Sequence, residues 1–173
     1  MGEVREATVE DAAELVRLRR EMFVAMHGAD EPGEWERVAE DTARRQLAAP
    51  EGVRRMGAFV VDGDAPAAGG PAAGERAVPH LAACAVGTVE ERLAAPLHPA
   101  GLFGFVFSVC TDSRYQGRGH GRATMEALLD WFATRGVTRV DLHASESAEH
   151  LYRTLGFGEH STPLSLDVSR RAH

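Results

Sequence analysis

The sequence has little cysteine, no long apolar run and a shortage of positive charge, and each lack excludes something. Only two cysteines occur in 173 residues, Cys84 and Cys110, both within apolar stretches. That is too few for a disulfide framework, and the pair reads as reduced core thiols. There is no Cys-x-x-Cys and no His-Glu-x-x-His, and the eight histidines show no metal-ligand spacing, so no metal is expected. No apolar run approaches the roughly 20 residues that a membrane span needs. The opening stretch, MGEVREATVEDAAEL, is acidic and lacks a signal-peptide core, so the expected location is the cytoplasm, with no membrane partner. A net charge of −7 argues against nucleic acid as a partner. It is compatible with a cationic or amine-bearing ligand, and equally with an ordinary acidic surface.

What is present describes a globular chain: 44% hydrophobic and 26% charged residues over a length that suits one domain, 1–173. Leu15, Leu18, Met22 and Met26 recur at helical spacing behind Thr8 and Asp11, predicting a helix over Val9–Met26. A second helix opens at Pro32, with Trp35, Val38, Thr42 and Leu47 on one face, and stops at Ala49–Gly52. MGAFVVDGD reads as a strand, and Ala65–Glu75, rich in Pro, Gly and Ala, as a mobile loop. HLAACAVGTVEERL reads as the next strand. In LFGFVFSVCT, Phe103, Phe105, Phe107 and Val109 alternate with Leu102, Val106 and Cys110. Both sides are apolar, which places it mid-sheet. A helix through Met125, Leu128 and Phe132, a strand VTRVDLHAS, a short helix closed by Gly156 and a last strand PLSLDV complete the order. A strand, a helix and a further strand imply a parallel crossover, hence an α/β or α+β class with a mixed central sheet.

The informative stretch is RYQGRGHGRATMEALLDWF, Arg114 to Phe132. A strand feeding a glycine turn feeding a helix exposes unpaired backbone N–H groups at the positive end of the helix dipole. Gly117, Gly119 and Gly121 would let a phosphate approach that backbone, with Arg118 and Arg122 as flanking cations. A tight turn alone needs fewer glycines. The P-loop pattern is absent, and the dinucleotide pattern fails because Arg122 stands where its third glycine would be.

Gln116-Gly117-Arg118-Gly119-His120-Gly121 resembles the Q/R-x-x-G-x-G/A motif of the GCN5-related N-acetyltransferase (GNAT) superfamily. Downstream, SESAEHLYRTLGF resembles that superfamily's second signature through Ala148, Leu151, Tyr152, Leu155, Gly156 and Phe157. The similarity runs over nearly the whole chain. It implies a GNAT-like fold, with helices on both faces of the sheet and a V-shaped splay between the fourth and fifth strands. It implies acetyl-CoA as cosubstrate. Its pyrophosphate would lie on Gln116, Gly117, Arg118, Gly119, His120 and Gly121, with Arg122 at the edge, and its pantetheine arm along Val109 and Thr111. Ser145 stands where the family's second signature often has an asparagine that contacts this arm, and a serine supplies fewer hydrogen bonds there.

The implied reaction is transfer of an acetyl group to a primary amine of a small molecule or peptide, by direct attack in a ternary complex. The resemblance gives Tyr152 the role of proton donor to the leaving thiolate; otherwise Tyr152 simply packs beside Leu151 and Leu155. LFGFVFSVCT contains no carboxylate, so the general base is open among Glu31, Glu34, Glu90, Glu91, His27, His143 and a water relay, with Asp112 expected to cap the turn. The acidic loop HGADEPGEWE suits an amine acceptor. Homodimers are frequent in such proteins. A non-catalytic acyl-CoA sensor and a purely structural module are the alternatives.

Overall fold

The computed structural model describes residues 2–66, 79–169 and 171. Their order is β1 (Val4–Glu6), α1 (Ala12–His27), α2 (Glu34–Leu47), β2 (Met56–Pro66), β3 (Pro79–Glu91), β4 (Leu102–Thr111), α3 (His120–Thr134), β5 (Arg139–Leu142) and α4 (Glu146–Thr154). The chain forms two compact units, Met1–Leu142 and His143–His173. The first contains a five-stranded open sheet in the order β1-β2-β3-β4-β5. Its first three pairings are antiparallel, and β4 pairs with β5 in parallel across the α3 crossover. β4 therefore lies inside the sheet, as its two-sided hydrophobicity predicts. No helix among the described residues is long and apolar enough to cross a membrane.

Alternation along the strands gives each face its own helices. Met56, Ala58 and Val60 of β2 and Cys84 and Val86 of β3 point one way, where Leu15 and Leu18 of α1 and Ala43 and Leu47 of α2 close over them. The opposite face carries Gly57, Gly87 and Gly104 on three adjacent strands. Together they form a trough for the bulkiest side chains of α3. A Cβ on Gly57 would stand 2.6 Å from the Trp131 ring, and one on Gly104 would stand 2.9 Å from the Phe132 ring. Gly104→Val should therefore overpack this layer, cost about 1–3 kcal/mol and lower the thermal midpoint by several degrees. A variant melting with the parent would show that α3 rides higher on the sheet than described.

Several expectations change. Three residues before the expected first helix form β1, pairing Val4 with Val61, so the order opens on a strand. The helix itself is preceded by a 3₁₀ turn at Val9–Asp11. Val38 is 52% exposed; of the expected face α2 buries Leu47, and it buries Ala43 besides. The pairing of β3 with β4 jumps from Val86–Ser108 to Gly87–Val106, which leaves Phe107 as the extra residue of a bulge. Phe103 and Phe105 consequently share a face with Ser108 and Cys110, not with Phe107 and Val109. The expected last strand is absent: Leu164 and Leu166 are 92% and 70% exposed, and among the described residues no strand pairs with 163–168. Alternating side chains make a strand only where the backbone finds a partner. The expected loop at Ala65–Glu75 lies outside the described residues beyond Pro66, where β2 ends.

Candidate active site

The last pair joining β4 to β5 is Val106–Leu142, yet β4 continues to Thr111. Along that unpaired stretch, the backbone orientation follows from one bond. Asp112 donates its N–H to Ala82 O on β3 at 2.9 Å. N–H groups alternate sides along a strand, so those of Val109 and Thr111 point to the open edge.

The chain then turns through a 3₁₀ segment, Ser113–Tyr115, held by two anchors. Asp112 is 2% exposed and caps the segment by accepting from Arg114 N at 3.0 Å, as expected of it. Its carboxylate also receives Arg17 Nη1 and His80 Nε2, each at 2.9 Å. Burial works to raise its pKa, but the hydrogen bonds from Arg114, His80 and Arg17 prevail and hold it well below the usual carboxylate range. Glu14 joins this group by accepting Leu81 N at 2.9 Å and Arg17. Tyr115 is buried and donates its hydroxyl to Asp64, tying the turn to β2.

Beyond these anchors, Gln116 is extended and reaches back to Thr111 O at 3.4 Å. Gly117 and Gly119 take φ of 74° and 79°, a region closed to most side chains. Gly121 does not, so backbone conformation gives no reason for its missing side chain. Ala123 N bonds Gly119 O at 3.0 Å, and among the described residues the N–H groups of His120 and Gly121, ahead of it at the start of α3, have no intrahelical partner. Arg118 lies over the Tyr115 ring at 5.3 Å and is exposed, while Arg122 pairs with Glu126 at 2.9 Å. His120 is buried, and among the described residues its Nδ1 has no hydrogen-bond partner. Burial and the Arg118 cation push its pKa down, keeping the imidazole neutral.

Ser145 and Tyr152 belong to the second unit. Ser145 is the N-cap of α4, its Oγ 3.2 Å from Ser147 Oγ. Tyr152 is buried, edge-on to Phe157 with ring centroids 5.9 Å apart. Burial raises the pKa of its phenol, and no described residue hydrogen-bonds its hydroxyl.

The first unit also holds a cleft of about 230 Å³ lined by Arg20, Phe23, His27, Glu31 and Trp35. Phe23 stacks parallel to His27 at 5.9 Å and edge-on to Trp35 at 5.7 Å. The acidic loop beside it is largely neutralised: Arg20 holds Asp30 and Glu36, and Arg37 holds Glu34. Of the possible bases, Glu90 pairs with Arg92 and Glu91 with Arg55. Glu31 and His27 remain on the cleft. The sequence reading missed the Asp112 cluster, the bulge and Arg19. The Arg19-Phe23-His27 spacing of four was the available signal for the last. Among the described residues, no group of three His, Cys, Asp or Glu is arranged to hold a metal.

An open strand edge, a glycine turn and a helix N-terminus thus follow one another along the chain from Val109 to Gly121. A sequence model of the acetyltransferase (GNAT) family matches residues 14–157, and the chain belongs to that family. Its fold is similar to that of a predicted acetyltransferase from Clostridium acetobutylicum solved with acetyl-CoA (TM-score 0.78, 16% identity, 100% of both chains). It is also similar to that of glucosamine-6-phosphate N-acetyltransferase from Arabidopsis thaliana (TM-score 0.68, 17% identity, 96% of this chain and 98% of that one). A curated relative, the ribosomal protein bS18-alanine N-acetyltransferase of Salmonella typhimurium, is 40% identical over 57 residues. That match spans 31% of this chain and 38% of the relative.

Proposed function

We propose that this acetyltransferase moves an acetyl group from acetyl-CoA to a primary amine of a small molecule or peptide, by direct attack within a ternary complex. The observation that carries the reading is that β4 has an open edge at Val109 and Thr111 and is followed, after one anchored turn, by the left-handed Gly117 and Gly119 at the start of α3. The residues fit an acyl-CoA. Two left-handed glycines and the N–H groups of His120 and Gly121 at the helix start suit a diphosphate. Val109 and Thr111 offer an edge that an amide-bearing arm can join as a strand would. In this reading Gln116 to Gly121 hold the diphosphate, Arg118 adds charge, Arg122 stays at the rim and Ser145 supplies one hydrogen bond. Acetyl-CoA brings the activated acyl group as a thioester. An edge N–H of β4 stabilises the oxyanion that forms on attack, and Tyr152, kept protonated by burial, supplies the proton that the departing sulfur needs. His27, Glu31 and His143 are the candidates proposed to receive the amine's proton, directly or through water.

The bS18-alanine N-acetyltransferase supports an alanine-like amine as one acceptor to try. The cytoplasm is the proposed location, and a homodimer the proposed assembly. Acetyl-CoA at a hundredfold excess over its dissociation constant should stabilise the protein by about 2.7 kcal/mol against unfolding, and amines should then release free thiol. No protection would leave a structural module. Protection without thiol release on any amine would leave a sensor.

A further inference from the structure

Arg19 sits on α1 facing the bulge in β4. Its Nη1 donates to Ser108 Oγ at 2.5 Å and to Phe107 O at 3.4 Å. Its guanidinium is packed between the rings of Phe23, 4.7 Å away, and Phe107, 5.6 Å away. Its neighbours in sequence are fully paired: Arg17 holds Glu14, Glu21 and Asp112, and Arg20 holds Asp30 and Glu36. Among the described residues, no carboxylate pairs with Arg19. Burial lowers its pKa, whereas Arg17 and Arg20 are raised. In a chain with 26 acidic residues and a net charge of −7, a half-buried guanidinium without a counter-ion is out of pattern. Its Nε and Nη2 donors, the fork that matches a carboxylate, are unused by the described residues.

The surroundings narrow what would meet that fork. Phe23 is shared: one environment of its ring is Arg19, and it also walls the cleft with His27 and Trp35. At about 230 Å³ the cleft falls below the size of pockets that enclose whole drug-sized ligands. It suits a single apolar or aromatic side chain. Phe107 and Ser108 lie just past the last pair of β4 with β5, where the strand edge is open.

Building on the acetyltransferase reading above, we infer that the acceptor is a free α-amino acid with an aromatic or large apolar side chain. Its carboxylate binds Arg19, its side chain enters the Phe23–Trp35 cleft, and its amine is left at the β4 bulge. The amine nitrogen forms a bond to the acyl carbon as the carbon–sulfur bond breaks. One amine proton passes to water or a base, the sulfur leaves as a thiol, and the carboxylate is not consumed. Arg19 is a specificity-determining residue that touches the acceptor.

The test compares pairs that differ only in the carboxylate: phenylalanine with phenethylamine and tryptophan with tryptamine. An alanine-initiated peptide amide is run alongside. Thiol release is followed with the full chain and acetyl-CoA. The amino acids should have kcat/KM at least a hundredfold above their decarboxylated partners. Arg19→Gln should bring that ratio near one by raising KM for the acids about a hundredfold, and Arg19→Lys should recover part of it. Acetyl-CoA affinity and the thermal midpoint serve as checks that the variants are folded. Equal rates on both members of each pair, a ratio unchanged by Arg19→Gln, or turnover of the peptide alone would overturn the inference while leaving the acetyltransferase reading standing. Failure of the parent to bind acetyl-CoA would overturn both.

Discussion

Gly119→Glu should weaken acetyl-CoA binding by at least a hundredfold while leaving a folded protein. Gly119 is exposed and caps α3 at φ 79°. Any side chain there strains the backbone by about 1–2 kcal/mol. A carboxylate at a helix N-terminus returns roughly 0.3–1 kcal/mol through the dipole, so the thermal midpoint should fall only slightly. The same carboxylate would meet the N–H groups of His120 and Gly121 proposed for the diphosphate, and it would repel that diphosphate. Gly119→Ala isolates the conformational part, since it carries the same φ without the charge, and it should bind no more than about tenfold more weakly. Calorimetric titration of both variants with acetyl-CoA reads the difference. Parent-like affinity in the glutamate variant would remove the diphosphate from this turn. Equal losses in both variants would assign the effect to backbone strain.

How much of this was legible in the sequence depends on how local each feature is. The glycine turn and α3 were legible because the turn's special φ values belong to Gly117 and Gly119 themselves and the helix pattern follows at once. The inside position of β4 was legible because a strand covered on both faces is apolar on both. β1 was not, because Val-Arg-Glu has no periodicity to show in three residues, and its strand state comes from pairing with Val61, Val60 and Phe59 far along the chain. The segment at 163–168 shows the converse. Leu164, Leu166 and Val168 alternate, but a strand also needs a neighbour, and that is a tertiary fact.

For the candidate site, the conformation of the turn was legible and the side-chain pairings around it were not. Two short motifs pointed to the turn and to Tyr152. The register of β4 could not be read, because one extra residue at Phe107 inverts every side chain after it. Nor did the acidic loop keep the meaning its composition suggested. Asp30, Glu34 and Glu36 are held by arginines of α1 and α2, so the charge offered to a ligand is set by pairing rather than by count. Arg19 is the mirror image of that lesson. In the sequence it is one of three arginines in four positions, and only the structure separates it from Arg17 and Arg20 by what each one holds.

Tyr152→Phe should lower kcat by about a hundredfold with acetyl-CoA affinity nearly unchanged. The substitution removes one oxygen and keeps the ring that meets Phe157 edge-on, so α4 should hold its packing. Burial disfavours the phenolate, which places the folded-state pKa above the ordinary value of about 10 for tyrosine. The group is therefore protonated throughout the neutral range, the state a donor to a departing thiolate requires. The sign of the pH dependence follows: the parent's rate should decline only as pH rises through that raised pKa, and the phenylalanine variant should lack this alkaline limb. A merely structural tyrosine would give a different pattern, with a lowered thermal midpoint and weaker cofactor binding while kcat held. An unchanged kcat with an unchanged profile would mean that the sulfur leaves without a proton from this residue, and the acid would have to be water.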